Sequence, residues 1–136
     1  MKKFRLLEFP QLGDNRGHLV VVEEMKEIPF NIKRIFYMYG TTEGVVRGQH
    51  ANRNSQFVLI NLKGSCKIKI DDGKYREIIE LNKAHQGIYL KNMVWKDMYD
   101  FSEDSILLVL SDCGYDGSEY IRDIKEFYEE LNKNNG

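Results

Sequence analysis

The stretch GVVRGQHANRNSQFVLINLKG, residues 44–64, decides how the fold of this chain is interpreted. It contains His50, one of only three histidines, and Asn52 stands where a second histidine would complete an H-x-H pair. The polar centre is followed by an apolar run at 57–62, which has the length of a buried strand. The stretch therefore predicts two successive strands, with His50 as a metal ligand, a catalytic base or a surface histidine.

Most of the remaining chain has the pattern of short strands separated by turn residues. In CKIKI, Cys66, Ile68 and Ile70 share one face. Segments 55–64 and 65–73 are expected to form a hairpin-like pair, and DDG at 71–73 is a good hairpin turn. Further strands are predicted at 18–24, 32–40, 76–81, 86–91, 94–101 and 105–112. These elements predict an all-β sandwich or barrel within a single domain, residues 1–136.

A helical pattern occurs only near the C-terminus. Ser118 is a plausible N-cap, and the tail NKNNG at 132–136 is expected to end the helix. Between them, apolar side chains recur at helical spacing: Tyr120, Ile121, Ile124, Phe127, Tyr128 and Leu131. The sequence thus predicts one short C-terminal helix beside the strands.

Composition and charge exclude several functional classes. The formal net charge of −1 gives no indication of nucleic-acid binding, although a few placed cations would suffice for a small anionic ligand. The two cysteines lack C-x-x-C spacing, which favours a reduced, cytoplasmic protein. The first residues lack the apolar segment of a signal peptide, and no apolar run reaches membrane-spanning length, so no membrane partner is expected.

The stretch 44–64 resembles the first motif of the cupin superfamily. Metal-binding cupins have an H-x-H pair and a glutamate four residues later, where this chain has His50, Asn52 and Gln56. The histidine of the second cupin motif corresponds by spacing to Met98. One imidazole, two neutral amides and a thioether make a poor transition-metal site. We therefore expect neither a metal nor another cofactor.

Several separated motifs then narrow the resemblance. RGHLVVVEE (16–24), IKRIFY (32–37), RGQHA (47–51), VWKDMYDFSEDSILLVL (94–110) and YIRD (120–123) are similar, in this order, to the dTDP-4-dehydro-6-deoxyglucose 3,4-ketoisomerases. The resemblance implies a cupin double-stranded β-helix, or jelly roll, that acts without metal on a dTDP-linked 4-keto-6-deoxy sugar. It also implies a homodimer with an exchanged N-terminal strand and an aminotransferase that consumes the product.

Moving a ketone from C4 to C3 requires a base near neutral pKa, a proton shuttle and donors for an enediolate. His50 is the natural base. Tyr37 is the second catalytic candidate, which the resemblance matches to the active-site tyrosine of the family, and it should share a strand face with Ile35 and Tyr39. Arg16 and Arg47 each adjoin a glycine at a strand start and are candidates for binding a diphosphate.

Four further residues are candidates for contacting the substrate. Asn52 and Lys96 occupy positions that vary in the family and lie near the sugar, and Lys96 could orient the enediolate or be exposed. Gln56 and Tyr99 are expected to line the barrel mouth. We expect Trp95 in the core and no catalytic role for His18 or His85.

Three other functions are compatible with parts of this pattern. A dTDP-sugar 3,5-epimerase shares the jelly roll and a His–Tyr pair, but those enzymes are usually longer and pair the histidine with a distant aspartate. A non-catalytic sugar-nucleotide-binding module would tolerate loss of His50. A metal-dependent cupin oxygenase is disfavoured by the poor ligand set.

Overall fold

The computed structural model of the chain describes residues 1–135 and consists mainly of two five-stranded antiparallel sheets. The first sheet has the strand order β1-β9-β6-β11-β4, and the second has the order β12-β5-β10-β7-β8. The strand bounds are β1 Phe4–Glu8, β2 Gln11–Asp14, β3 Gly17–Val20, β4 Arg34–Tyr39, β5 Arg47–Asn52, β6 Phe57–Lys63, β7 Cys66–Asp71, β8 Arg76–Leu81, β9 Gln86–Leu90, β10 Trp95–Tyr99, β11 Ile106–Ser111 and β12 Tyr120–Ile121. This is the predicted sandwich with a terminal helix.

The main core fills the space between the two sheets, as side-chain alternation dictates. Cys66, Ile68 and Ile70 of β7 are fully buried there, which confirms the face predicted from CKIKI. They meet Phe57 and Leu59 of β6 in the facing sheet. A second apolar cluster lies where Phe9, Ile28 and Phe30 meet Val58, Ile60, Tyr89 and Leu110.

The expected hairpin between residues 55–64 and 65–73 is wrong. β6 pairs with β9 and β11 in one sheet, whereas β7 pairs with β10 and β8 in the other. The short link between them, which includes Gly64, therefore carries the chain from one sheet to the other. The predicted turn at 71–73 does connect two paired strands, β7 and β8, and Asp71 accepts a hydrogen bond from the Gly73 amide at 2.8 Å.

The C-terminal helix α1 runs from Ile124 to Asn135, so Ser118 is not its N-cap. Ser118 lies in a 3-10 turn at Gly117–Glu119, whose cap is Asp116. β12 follows at once, because residues 120–121 pair with β5 before the helix can begin. The tail at 132–136, which was expected to end the helix, is itself helical through Asn135, and Gly136 lies outside the described residues.

Helix α1 covers the outer face of the second sheet. Its Phe127 is fully buried and lies 5.9 Å from the Trp95 ring, measured between ring centroids. Trp95 is therefore a core residue, as predicted. Within residues 1–135, no helix has both the length and the apolar character that a membrane crossing requires.

The β2–β3 hairpin pairs with no other strand in the described chain. Both of its strands are largely exposed, including the apolar side chains of Leu12 and Leu19. Strand β4 is the last strand of the first sheet and has one unpaired edge. Ile35, Tyr37 and Tyr39 are exposed on its outer face. The N-terminal part of the chain thus presents both a free hairpin and a free sheet edge.

Candidate active site

A cavity of about 390 Å³ lies between the two sheets and is mostly apolar. Strands from both sheets supply its walls, so the position of each lining side chain follows from the register of those strands. The lining residues are Phe36, Met38, Val45, Val46, Arg47, Gly48, His50, Phe57, Leu59, Lys96, Met98, Val109 and Tyr120. An apolar cavity with a few convergent polar groups is the usual form of a small-molecule site.

His50 reaches this cavity through a β-bulge in β5. His50 pairs with Lys96 and Gly48 pairs with Asp97, so Gln49 is an extra residue without a partner on β10. Gly48 and Gln49 both have left-handed backbone angles, with φ of 82° and 56°. The bulge lets Arg47 and His50, three residues apart, line the same cavity.

The hydrogen bond made by His50 defines its tautomer. Nδ1 lies 2.9 Å from the carbonyl oxygen of Gly48. Because a carbonyl can only accept, Nδ1 carries the ring proton, and Nε2 of the neutral ring is the nitrogen with a free lone pair. The ring also packs on Tyr120, with a centroid distance of 4.7 Å. His50 is thus held by two contacts that leave Nε2 able to accept a proton.

The environment keeps His50 neutral. Burial is the main cause that lowers its pKa, and the nearby charge of Lys96 adds to it, so that the pKa falls to about 4. The hydrogen bond to Gly48 and the carboxylate of Glu119 oppose this shift. At neutral pH the ring is therefore unprotonated, which is the form that a general base requires, but its pKa lies below the near-neutral value expected from the sequence.

Lys96 lies opposite His50 on the neighbouring strand β10 of the same sheet and is buried, with 4% of its surface exposed. Its Nζ donates to Oδ1 of Asn52 at 3.2 Å and stands 4.4 Å from the centre of the Phe57 ring. Burial lowers the pKa of Lys96 to about 7, and Glu119 opposes that shift. The expectation that Lys96 could be exposed is wrong, and Asn52 contacts this lysine.

Arg47 is located at the rim of the cavity. Its side chain is exposed, and Nε lies 2.9 Å from the sulfur of Met38. Met98, which occupies the position of the second cupin histidine, lines the cavity wall. In residues 1–135, no three His, Cys, Asp or Glu side chains are grouped closely enough to hold a metal ion.

Two of the expected site residues lie on the outer faces of their strands. Tyr37 shares a face with Ile35 and Tyr39, as predicted, but that face points away from the cavity, and Tyr37 is 61% exposed. Tyr99 alternates with the inward-facing Met98 and therefore projects outward. The alternation was correct for β4, but it did not show which face is buried.

Two more of the expected site residues, Gln56 and Arg16, lie outside the cavity, and each interacts with other side chains. Gln56 donates through Nε2 to Asp112 at 2.9 Å and accepts a hydrogen bond from the hydroxyl of Tyr89. Arg16 is at the end of the free hairpin, 87% exposed, and forms an ion pair with Asp14 at 2.8 Å. Neither residue lines the cavity in this chain, contrary to expectation.

Sequence reasoning missed two side chains at or beside the cavity. Tyr120 was assigned to the terminal helix, yet it lies on β12 and packs on His50. Arg34 shares the inward face of β4 with Phe36, and its guanidinium lies between the Phe36 and Tyr115 rings. Its buried Nε and Nη2 have no hydrogen-bond partner among the described residues. The YIRD and IKRIFY motifs contained both residues but gave no indication of these positions.

Comparisons with known proteins show the family of this chain. Residues 2–132 match the family model described as FdtA, WxcM-like, C-terminal. The chain is 39% identical over 131 residues to the TDP-4-oxo-6-deoxy-alpha-D-glucose-3,4-oxoisomerase of Aneurinibacillus thermoaerophilus, covering 96% of this chain and 94% of the relative.

Two solved structures of 3,4-ketoisomerases also match this chain over nearly its whole length. WlaRA, a TDP-fucose-3,4-ketoisomerase from Campylobacter jejuni, is 45% identical with a TM-score of 0.91, covering 97% of this chain and 98% of that one. A histidine-to-asparagine mutant of the 3,4-ketoisomerase QdtA from Thermoanaerobacterium thermosaccharolyticum, in complex with TDP-4-keto-6-deoxyglucose, is 36% identical. Its TM-score is 0.93, with 98% and 96% of the two chains covered.

Proposed function

The chain belongs to the FdtA family of sugar 3,4-ketoisomerases, and from this membership we propose that it converts TDP-4-keto-6-deoxyglucose into the corresponding 3-keto sugar. The Aneurinibacillus relative is named for TDP-4-oxo-6-deoxy-alpha-D-glucose, and the QdtA mutant was solved in complex with TDP-4-keto-6-deoxyglucose. The observation that carries the proposal is His50, whose Nδ1 is fixed by Gly48 and whose Nε2 is left to accept a proton beside the cavity.

His50 is the proposed base for both carbon-bound proton transfers. Nε2 removes the proton from C3 of the sugar, and the electron pair of that C–H bond forms the C3–C4 double bond. The C4 carbonyl oxygen takes the resulting negative charge, which gives an enediolate. His50 then returns the proton to C4, the double bond is consumed, and C3 is left as the ketone.

Lys96 is the proposed partner for the oxygen-bound protons. As an ammonium, it stabilises the enediolate and donates a proton to the oxygen on C4. It recovers a proton from the hydroxyl on C3 when the new ketone forms, so atoms and charges balance. A pKa near 7 suits a group that must give and receive a proton at neutral pH. Tyr120, in contact with His50, is the phenol on the same wall.

Guanidinium groups are the proposed contacts for the nucleotide diphosphate. Arg47 at the rim is positioned for a phosphate that remains outside while the sugar enters the cavity. Arg34, which lies beside Phe36 and Tyr115, is a second candidate, because its two unpartnered nitrogens are donors without an acceptor among the described residues. Arg16 can take part only if its hairpin reaches a second chain, since it lies outside the cavity of its own chain.

This arrangement supports a homodimer with exchange of N-terminal strands. In this chain β1 pairs with β9, so the segment available for exchange is the β2–β3 hairpin. Its exposed apolar side chains and the free edge of β4 are surfaces that a second copy would cover.

The ketone at C3 of the product is the group that an aminotransferase converts into an amine, so an aminotransferase is the proposed next enzyme. Cys66 and Cys113 are both free thiols, which supports a location in the reducing cytoplasm.

The direct test is NMR of the reaction with TDP-4-keto-6-deoxyglucose in D₂O. We expect a 3-keto product that carries deuterium at C4, because the proton that Nε2 of His50 takes from C3 exchanges with the solvent before Nε2 delivers one to C4. Deuterium at C3 and C5 with the ketone retained at C4 would instead identify a 3,5-epimerase. TDP binding without turnover would identify a binding module, and it would refute the proposed reaction.

A further inference from the structure

The two walls of the cavity differ in the chemistry of their side chains. The wall formed by the second sheet contains all the cavity-lining side chains, among the described residues, that can donate or accept a proton: Arg47, His50, Lys96 and Tyr120. The wall formed by the first sheet has only apolar side chains. They are Phe36 and Met38 on β4, Phe57 and Leu59 on β6, and Val109 on β11.

The apolar wall belongs to the core between the sheets. Phe57, Leu59 and Val109 are each at most 2% exposed and pack in the main cluster. The backbone polar groups of β6 and β11 are used in pairing between the strands of this sheet. A ligand face that packs against this wall therefore meets no side chain of the described chain that could give it a proton.

Removal of the C3 proton determines which face of the sugar turns toward the second sheet. The C3–H bond must be perpendicular to the plane of the C4 carbonyl, because only then can its electron pair form the C3–C4 double bond. The base must accordingly lie over one face of the sugar ring, and His50 is the proposed base. Because the cavity lies between the sheets, the opposite ring face is directed toward the apolar wall.

The proton delivered to C4 comes from the same wall. C4 is bonded to C3, about 1.5 Å away, so Nε2 of His50 reaches both carbons with a small movement. Lys96 is paired with His50 on the neighbouring strand of the same sheet, and the Tyr120 ring lies 4.7 Å from the His50 ring, between centroids. Whichever of these three groups delivers the proton, it approaches the ring face from which the C3 proton left.

We propose that this one-sided distribution of proton donors sets the configuration at C4, and that the product is the galacto isomer, TDP-3-keto-6-deoxygalactose. In 4-keto-6-deoxy-D-glucose the axial proton on C3 lies on the same ring face as the proton on C5. A new C4–H bond on that face places the C4 hydroxyl axial on the other face, which is the galacto arrangement. The gluco isomer requires a donor on the side of the apolar wall.

The step conserves atoms and electrons. The C3–H electron pair becomes the C3–C4 double bond, and the C4 carbonyl oxygen becomes negative and takes a proton from Lys96. The double-bond pair then forms the C4–H bond with the proton on Nε2, while the C3 hydroxyl gives its proton to Lys96 and becomes the ketone. The inference rests on the proposed function and adds the face of C4 that is protonated.

The test is proton NMR of the product formed from TDP-4-keto-6-deoxyglucose in H₂O, recorded early in the reaction. The coupling between the protons on C4 and C5 reports the configuration, because it is small when the C4 proton is equatorial and large when both protons are axial. We expect a 3-keto product with the small, galacto coupling. A gluco product, or a mixture of the two isomers, overturns the inference and leaves the isomerase activity established. A ketone that stays at C4 rejects the proposed function and the inference with it.

Lys96→Met tests whether the configuration depends on the wall rather than on one donor. This variant should lower kcat by about 10²–10⁴-fold, and its residual product should keep the small coupling, because His50 and Tyr120 remain on the same wall. Lys69→Met, which removes an exposed lysine of β7 outside the cavity, is the matched control and should keep both rate and configuration. A gluco product from Lys96→Met would show that a donor reaches the opposite ring face, and it would overturn the inference. If Lys96→Met has no measurable turnover, the wild-type coupling decides.

Discussion

Replacing Gly48 with alanine should reduce both stability and activity, because this glycine forms the bulge that directs His50 into the cavity. Its φ is +82°, and an added Cβ would lie 3.0 Å from the backbone oxygen of Lys96 and 3.0 Å from Cε of Met98. The left-handed backbone costs an L-residue about 1–2 kcal/mol, partly offset by lower entropy of the unfolded chain. Displacing a packed strand adds about 1–3 kcal/mol.

Gly44→Ala is the matched control. Gly44 has nearly the same backbone angle, with φ of +81°, but nothing lies within 4 Å of its added Cβ. It should cost only the backbone contribution, about 1 kcal/mol, and leave kcat nearly unchanged. The difference between the two variants therefore isolates the contact with β10.

Urea unfolding at pH 7.5 measures this difference, and steady-state kinetics measures its effect on the reaction. Gly48→Ala should lose about 1–3 kcal/mol more than Gly44→Ala, with similar m-values. A shift of His50 by about an ångström should lower kcat by up to roughly 10²-fold. Equal stability losses in the two variants, or an unchanged kcat in Gly48→Ala, would refute the reasoning that this bulge directs His50.

Three further outcomes are expected. His50→Asn should lower kcat by about 10²–10⁴-fold while His85→Asn, in a turn outside the cavity, stays near wild type; similar activities would exclude His50 as the base. Lys96→Met should gain stability relative to wild type as pH falls from 10.5 to 7. In that range the unfolded lysine holds a proton that the folded one lacks, so wild-type stability falls by up to about 1.4 kcal/mol per pH unit in urea titrations. Tyr120→Phe should slow turnover about tenfold, whereas Tyr37→Phe should leave it unchanged. A loss of kcat in Tyr37→Phe and not in Tyr120→Phe would show instead that the outer tyrosine is catalytic.

The fold class could be predicted from sequence because it depends on local patterns. Alternation in CKIKI and the regular spacing of turns were sufficient for a sandwich of short strands. Pairing was less accessible: β6 and β7 are adjacent in sequence but lie in different sheets. Chain proximity favours a hairpin, and only the complete set of tertiary contacts overrides it.

The candidates that line the cavity came from motif positions and the family resemblance, not from identifying the inner face of a strand. His50, Arg47 and Lys96 line the cavity, but alternation alone could not tell that the face of Tyr37 is the outer one. Tyr120 was missed because it lies on a two-residue strand, which is too short to show a period. Its position is set by pairing with Asn52, which is distant in sequence and which no local pattern contains.

The bulge at Gln49 also affects how this site is compared between chains. Gln49 has no partner on β10, so a chain without it would still place His50 opposite Lys96 and Gly48 opposite Asp97. An R-x-x-H segment with the bulge and an R-x-H segment without it would then present the same two side chains to one cavity. Residue 49 is therefore a point where an insertion or deletion preserves the site, and a one-residue gap there does not mean that the histidine has been lost.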